Sequence, residues 1–540
     1  MRNYTLTAAL LVLAQLGASA QTLVKDINPG TANADVTHLV SMGSYVYFIA
    51  REDTHGAELW KSDGTNAGTT LVKDINSGTG DALVNALSAT SSKLVVHGNT
   101  LYFVADDGTH GFEMWKSDGT EAGTVLVKDL APGVDAGANM MELASINGIL
   151  FFRGKQDSGS DWELYKTDGT DAGTQIVKNI NSSGGSFPEQ FVEYNGNAYF
   201  YAWDPVSGVE IWKSDGTTAG TAMLKDIFIG ATGTTFNFPT IFNGDLYFQG
   251  TNDANGTELW KTDGTNAGTV LVKDIISGSG NGSPFYLSVF NNKLFFSADN
   301  GVNGSQLWSS DGTALGTSLF KTINATNGSS PKQITTYKGK GYFSAIGETT
   351  GAELWVTDGT LAGTSLFIDI NNGVNGYAYP ENLTVAGGRL FFTANDGTNG
   401  VELWSTDGTI AGTIPYNVCQ GTCQANPVQL TVALGKLFFS AINDTTGREL
   451  FVIDNLPIGI ADVANTLQFS IYPNPATNTL NISVEGKATV AVYNLQGSLM
   501  LMADDDANTR VNVSSLATGM YVVKVTNTHG ETGVRKFVKE

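Results

Sequence analysis

The sequence predicts an all-β protein: a closed β-propeller of about nine four-stranded blades, followed by a small Ig-like β-sandwich. Three observations predict it. First, the motif G-x-E-L-W-K-S-D-G-T-x-A-G-T-x-L-V-K-D-I recurs, nearly intact at residues 56–75, 111–130, 208–227 and 256–275. Second, its glutamate position falls at Glu58, Glu113, Glu163, Glu210, Glu258, Gln306, Glu353, Glu402 and Glu449, a spacing of 47–55 residues that suits one propeller blade. Third, a lone copy of the unit's final strand, residues 23–27, precedes the first unit, whereas the last unit stops at Asp454 without that strand.

Residues 238–275 show why each unit reads as strands. Residues 238–242 are apolar-rich and end at Asn243-Gly244, a hairpin signal. Residues 245–250 carry Leu246, Tyr247 and Phe248, and a polar loop follows. Residues 258–261 form the E-L-W strand, Asp263-Gly264-Thr265 the next turn, and residues 270–275 the last strand. These four strands are named a to d. A unit of this size buries its apolar faces only against its neighbours. The orphan first strand and the missing last one fit each other, so the N-terminal strand is expected to complete the ninth blade and close the ring, removing exposed sheet edges. An eight-bladed ring with one irregular unit, and an open curved array, are the alternative arrangements.

Among 540 residues, 41% are hydrophobic and only 15% charged, with a net charge of −22. That balance argues against nucleic acid or an anionic membrane surface as partner. The first twenty residues read as a signal peptide: Arg2, an apolar stretch at residues 6–16, and Ala18-Ser19-Ala20, with cleavage between Ala20 and Gln21. No other segment is expected to span a membrane. Two cysteines, Cys419 and Cys423, are the whole cysteine content. In an exported chain a local disulfide is the first reading and a metal site the weaker one.

Composition shifts after Asp454. Residues 455–466 read as a linker and 467–540 as a separate domain, leaving 21–454 for the propeller. The tail carries Tyr472-Pro473-Asn474-Pro475-Ala476, then Tyr493-Asn494-Leu495-Gln496-Gly497, then Gly519-Met520-Tyr521-Val522-Val523-Lys524-Val525 and a basic end. These motifs, in this order, resemble the C-terminal sorting domain of the type IX secretion system of Bacteroidota. The resemblance implies the type IX secretion machinery as partner, removal of the tail, and a protein secreted or attached at the outer-membrane surface. Residues 23–454 resemble the E-L-W-x-x-D-G-T repeat family of exported bacterial proteins, with departures at Gln306, Tyr165, Phe451 and Met114. That resemblance implies little about activity.

A catalytic group is needed once, a scaffold group in every blade. The repeated tryptophans therefore read as packing between blades. The repeated Glu needs buried partners, expected to be the D-G-T hydroxyl or backbone amides of its own blade. The D-G-T Asp reads as a turn-former, with calcium coordination as the weaker reading and no other cofactor expected. Arginines are sparse, the five histidines form no metal-spaced pair, and no G-x-S-x-G, H-E-x-x-H or P-loop is present. No catalytic residue is assigned. The non-uniform loops place Phe187, Phe236, Phe285, Tyr286, Tyr377 and Tyr379 at the start of strand a, with Pro188, Pro284, Pro331, Pro380 and Pro427 in register. These aromatics are the ligand-binding candidates, for a sugar or a peptide; the plainer reading is that they cap the blades. The function expected is a monomeric, exported binding or adhesion propeller taking an extracellular glycan or protein. A secreted hydrolase acting on polysaccharide and a structural surface-layer or matrix protein are the alternatives.

Overall fold

The structure is a computed structural model. It describes residues 21–540 apart from 84–93, 133–140, 157–160, 374–375, 420–422, 455, 457–466, 468, 485, 495–498, 506–507 and 528–531. The signal segment with Ala20, and nearly all of the 455–466 linker, lie outside the described residues.

All regular structure among the described residues is strand. The repeat region folds into nine four-stranded sheets, which are propeller-like blades. Eight use consecutive strands. In blade 5 these are Asn237–Phe242, Asp245–Asn252, Gly256–Thr262 and Val270–Lys273. The a–b hairpin turns at Asn243 and Gly244, whose φ values of 51° and 87° are both left-handed, as a two-residue primed turn requires. Strand d is shorter than the sequence suggested. It stops at Lys273 because the Ile275 amide is bonded to the Glu258 side chain instead of to a strand.

The ninth blade combines Val428–Ala433, Lys436–Asn443 and Gly447–Ile453 with the N-terminal strand Gln21–Lys25. Gln21 pairs with Ile453 and Leu23 with Phe451. This strand repeats the chemistry of every other strand d. The Ile27 amide donates to Glu449 Oε2 at 3.0 Å, as Ile75 does to Glu58 at 3.1 Å. Val24 and Ile27 are buried with Phe48 and Trp60 of blade 1 and Leu450 and Val452 of blade 9. Strand a of blade 9 also lies beside Thr37–Met42, strand a of blade 1.

Two repeated contacts join blades. The E-L-W tryptophan packs on the blade before it, Trp260 against Tyr199, Ile211 and Leu224 of blade 4. The lysines donate across the same seams: Lys61 Nζ to the Gly119 carbonyl at 2.7 Å, and Lys73 Nζ to the Thr124 carbonyl at 2.9 Å. Lys25 Nζ makes the equivalent bond to the Thr69 carbonyl at 2.9 Å, so the blade 9–blade 1 seam is riveted like the others.

The tail forms two sheets around one core. One contains Phe469–Tyr472, Thr479–Val484 and Asn508–Asn512; the other contains Ala488–Asn494, Leu499–Asp505, Gly519–Asn527 and Thr532–Lys539. Leu480, Ile482, Val490, Val523 and Phe537 fill the space between them. Among the described residues no helix is long and apolar enough to cross a membrane.

Candidate functional site

The repeated glutamates and the polar side chains of the D-G-T turns are consumed by the scaffold. Glu258, fully buried, accepts the backbone amides of Ile275, Ile276 and Gly282 at 3.0, 3.2 and 2.8 Å. Its partners are therefore backbone amides after strand d, and not the D-G-T hydroxyl. Burial, opposed by these amide bonds and reinforced by the nearby Asp274, pushes its carboxyl up to about 7. The D-G-T turn closes on itself. Ser62 Oγ and Thr69 Oγ1 pair at 2.7 Å, and Asp63 Oδ1 accepts the Thr65 amide and hydroxyl at 2.8 and 2.7 Å. The Thr65 hydroxyl, first among the causes, holds the Asp63 carboxyl below its ordinary value. A Cβ at Gly68 would lie 2.1 Å from Asp63 Oδ1, so the second glycine of D-G-T-x-A-G is required by close approach. Among the described residues no cluster of three metal-ligating side chains occurs.

The residues that differ between blades gather at the start of strand a. There the chain makes a device the sequence does not advertise. The second residue of strand a has a left-handed backbone in seven blades, at His38, Glu142, Gln190, Phe238, Tyr286, Asn382 and Gln429, with φ of 55–63°. The a–b register slips at each of these points, as in blade 5 between Asn237 and Thr240. None of the seven is glycine and none is buried. Three residues earlier a second left-handed residue recurs, at Asp35, Phe187, Ser283, Ser330, Tyr379 and Asn426. Such conformations cost about 1–3 kcal/mol each in a non-glycine residue, and they concentrate where side chains must be aimed. The in-register prolines were the one sequence trace of this turn.

The predicted aromatics divide accordingly. Phe187 and Tyr379 occupy the first left-handed position and Tyr286 the second, with Phe285 beside it; all four are exposed. Tyr377 stacks on Tyr379 with ring centroids 5.3 Å apart. Phe236 is a correction. It is fully buried, edge-on to Phe248 at 5.3 Å, because its blade has Phe where five other blades place Pro, and that side chain turns into the core. It presents no ring to a ligand.

Two clefts open on these residues. One, of about 590 Å³, is lined by Tyr286, Lys332, Gln333, Glu381, Asn382 and Gln429, drawn from blades 6 to 9. Lys332 and Glu381 form an ion pair across it. The other, of about 440 Å³, is lined by Ser186, Phe187, Glu189, Tyr201, Trp203 and Val209 of blade 4. Arg153 of blade 3, nearly buried, pairs with Glu189, whose second oxygen accepts the Tyr201 hydroxyl at 2.6 Å. Burial first, and then the Glu189 hydrogen bond, raise the Tyr201 phenol, so it stays protonated and donates. The Arg153 guanidinium lies 5.6 Å from the Trp162 ring centroid. Glu142 stands close by, accepting the Gln190 amide at 3.3 Å. No other blade carries this combination of residues.

Cys419 and Cys423 are joined by a disulfide, with Cα atoms 5.5 Å apart. In the tail, Asn474 of Tyr472-Pro473-Asn474-Pro475 bonds the last strand twice: Nδ2 donates to the Lys536 carbonyl, and Oδ1 accepts the Val538 amide. The Tyr472 carbonyl accepts from Asn481 Nδ2 at 2.9 Å. The motif and the basic end are thus parts of one local structure.

Comparison with known proteins agrees with this tail. Residues 470–540 match the secretion system C-terminal sorting domain. The chain is 41% identical over 73 residues to beta-agarase D of Zobellia galactanivorans, which covers 14% of this chain and 15% of that protein. Weak structural likeness extends to a puromycin hydrolase, at 13% identity over 70% of this chain and 60% of that one, with a TM-score of 0.34. A Mycobacterium tuberculosis puromycin-hydrolyzing peptidase is 10% identical over 79% and 61%, with a TM-score of 0.38. The chain thus spans a small part of the curated relative and about three fifths of these structures, and likeness this low carries no argument about activity. The sorting domain marks the protein as secreted or attached at the cell surface.

Proposed function

We propose that this is an exported binding protein with no reaction of its own, its nine blades closed into a propeller by the N-terminal strand. In this reading residues 21–454 belong to the E-L-W-x-x-D-G-T repeat family. Residues 467–540 are an Ig-like address for the type IX machinery, removed at the cell surface. One observation carries the reading. Every repeated polar side chain described above is committed to a bond that holds a blade or a seam, while the residues that vary are exposed together at the strand a starts. A cleft of 300–1,000 Å³ with a few convergent polar groups is the ordinary form of a ligand site, and both clefts fall in that range. Binding of the purified mature chain to a glycan array and to intact cells, beside a screen for polymer turnover, tests the reading.

A second reading, a secreted polysaccharide hydrolase, rests on Glu142, Glu189, Tyr201 and Arg153, which put two carboxylates beside a phenol and a cation. Against it, both oxygens of Glu189 are engaged and Tyr201 is kept protonated. Turnover of any polymer that disappears in Glu189→Gln would replace the binding reading with this one.

A further inference from the structure

The two clefts are ends of one track. Blade 4 connects to blade 5 through Gln190 Nε2, which donates to Asn237 Oδ1 at 3.2 Å. Blade 5 connects to blade 6 through Phe238, whose ring lies 5.5 Å from that of Phe285 and 5.4 Å from that of Tyr286. Tyr286 in turn lines the larger cleft with Gln333, Asn382 and Gln429. From Trp203, at the end of strand b in blade 4, through the strand a starts to Gln429 in blade 9, aromatic rings and side-chain amides therefore follow one another in a series.

We infer that this track binds a linear, uncharged polysaccharide, with the Trp203 cleft and the Tyr286 cleft as separate subsites. The inference rests on the binding reading above and names its ligand. Three features select the chemistry. Phe187, Phe285 and Tyr286 are each about two-fifths exposed, so each offers a ring surface and not a deep apolar pocket. A ring surface of that kind suits the C–H face of a pyranose. The amides of Gln333, Asn382 and Gln429 each combine a donor and an acceptor, which matches neighbouring hydroxyls of a sugar. The cations on the track are paired within the protein, Arg153 with Glu189 and Lys332 with Glu381, so they offer an acidic ligand no free positive charge. A net charge of −22 further disfavours a polyanion. The left-handed residues explain how the series is built. At each of them the a–b register slips, so that adjacent side chains such as Phe285 with Tyr286, and Glu381 with Asn382, are exposed together where a regular strand would turn one of each pair inward.

Affinity electrophoresis of the full mature chain tests this. Native gels would contain a neutral glucan, galactan, mannan or xylan, with a uronic-acid polymer and an immobilised peptide library run in parallel. The expected result is retardation by at least one neutral polymer, weakened about tenfold in Trp203→Ala and about tenfold in Tyr286→Ala, with the double variant weaker than either. Tyr286 is exposed, so its variant leaves folding intact; Trp203→Phe, which keeps a ring, is expected to retain most of the retardation. Retardation by no neutral polymer, or retardation unchanged by both variants, overturns the inference. Binding confined to the uronic-acid polymer, or to peptides with loss in Tyr286→Ala, also overturns it and leaves the binding reading standing. Release of new reducing ends from a retained polymer ends the binding-only reading and leaves the ligand assignment in place.

Discussion

Glu258→Ala and Glu258→Gln test whether the repeated glutamate works as an acceptor of backbone amides. Alanine leaves three amides, those of Ile275, Ile276 and Gly282, without their carboxylate. A buried unsatisfied donor costs about 1–3 kcal/mol. With water reaching one of the three, the site loses roughly 3–5 kcal/mol. The repeat region as a whole, residues 21–454, unfolds with an entropy of about 0.9 kcal/mol/K, so the midpoint should fall by about 3–6 °C. Blade 6 shows what glutamine does, because Gln306 stands at this position. Its Oε1 accepts the Ile323 amide at 2.9 Å, and its Nε2 finds the Asn303 carbonyl at 2.9 Å. Asn255 supplies the equivalent carbonyl in blade 5, so Glu258→Gln should lower the midpoint by only about 1 °C. Calorimetry of the mature chain reads both. A glutamine variant as damaged as the alanine one, or an undamaged alanine variant, would refute the acceptor argument.

Two further expectations concern pH and export. Burial raises Glu58 and Glu449 to about 8, and Glu210, Glu258, Glu353 and Glu402 to about 7. The folded state therefore holds these protons more tightly than the unfolded state, whose glutamates titrate near about 4.5. Their stabilising contribution is full below that value and is lost as pH rises through about 7–8. The D-G-T aspartates are shifted the other way, so their contribution is lost as pH falls through the acid range. The melting temperature should peak near about pH 5 and decline toward pH 9; a flat or rising profile over that span would contradict the shifts. Deleting residues 467–540 should leave the repeat region inside the outer membrane in cell fractionation, and unchanged delivery to the surface would contradict the role of the tail.

The blades were legible because their determinants are local and repeated. Asn243-Gly244 marks its own turn, and the nine glutamate positions count the sheets. The pairing of residues 21–25 with the ninth blade was legible from a strand in excess at one end and missing at the other. The site was legible only as a list of aromatics. Contacts such as Arg153 with Glu189, or Lys61 with Gly119, join different blades, and one chain offers no local signal for them. The left-handed residues were hidden for a different reason. They lack the glycines that normally betray a positive φ, so Gln190 and Tyr286 looked like ordinary strand residues. Phe236 was misplaced because its position holds Pro in several other blades, and only packing reveals that a Phe there turns inward.

Hydrogen exchange of the intact mature chain addresses most directly whether the N-terminal strand closes the ring. Amides of residues 21–28 should exchange as slowly as those of residues 70–76, because both segments make the same strand, glutamate and lysine contacts. Exchange of residues 21–28 at the rate of a free tail, while 70–76 stay protected, would mean that the N-terminal strand does not complete the ninth blade and that the ring is open.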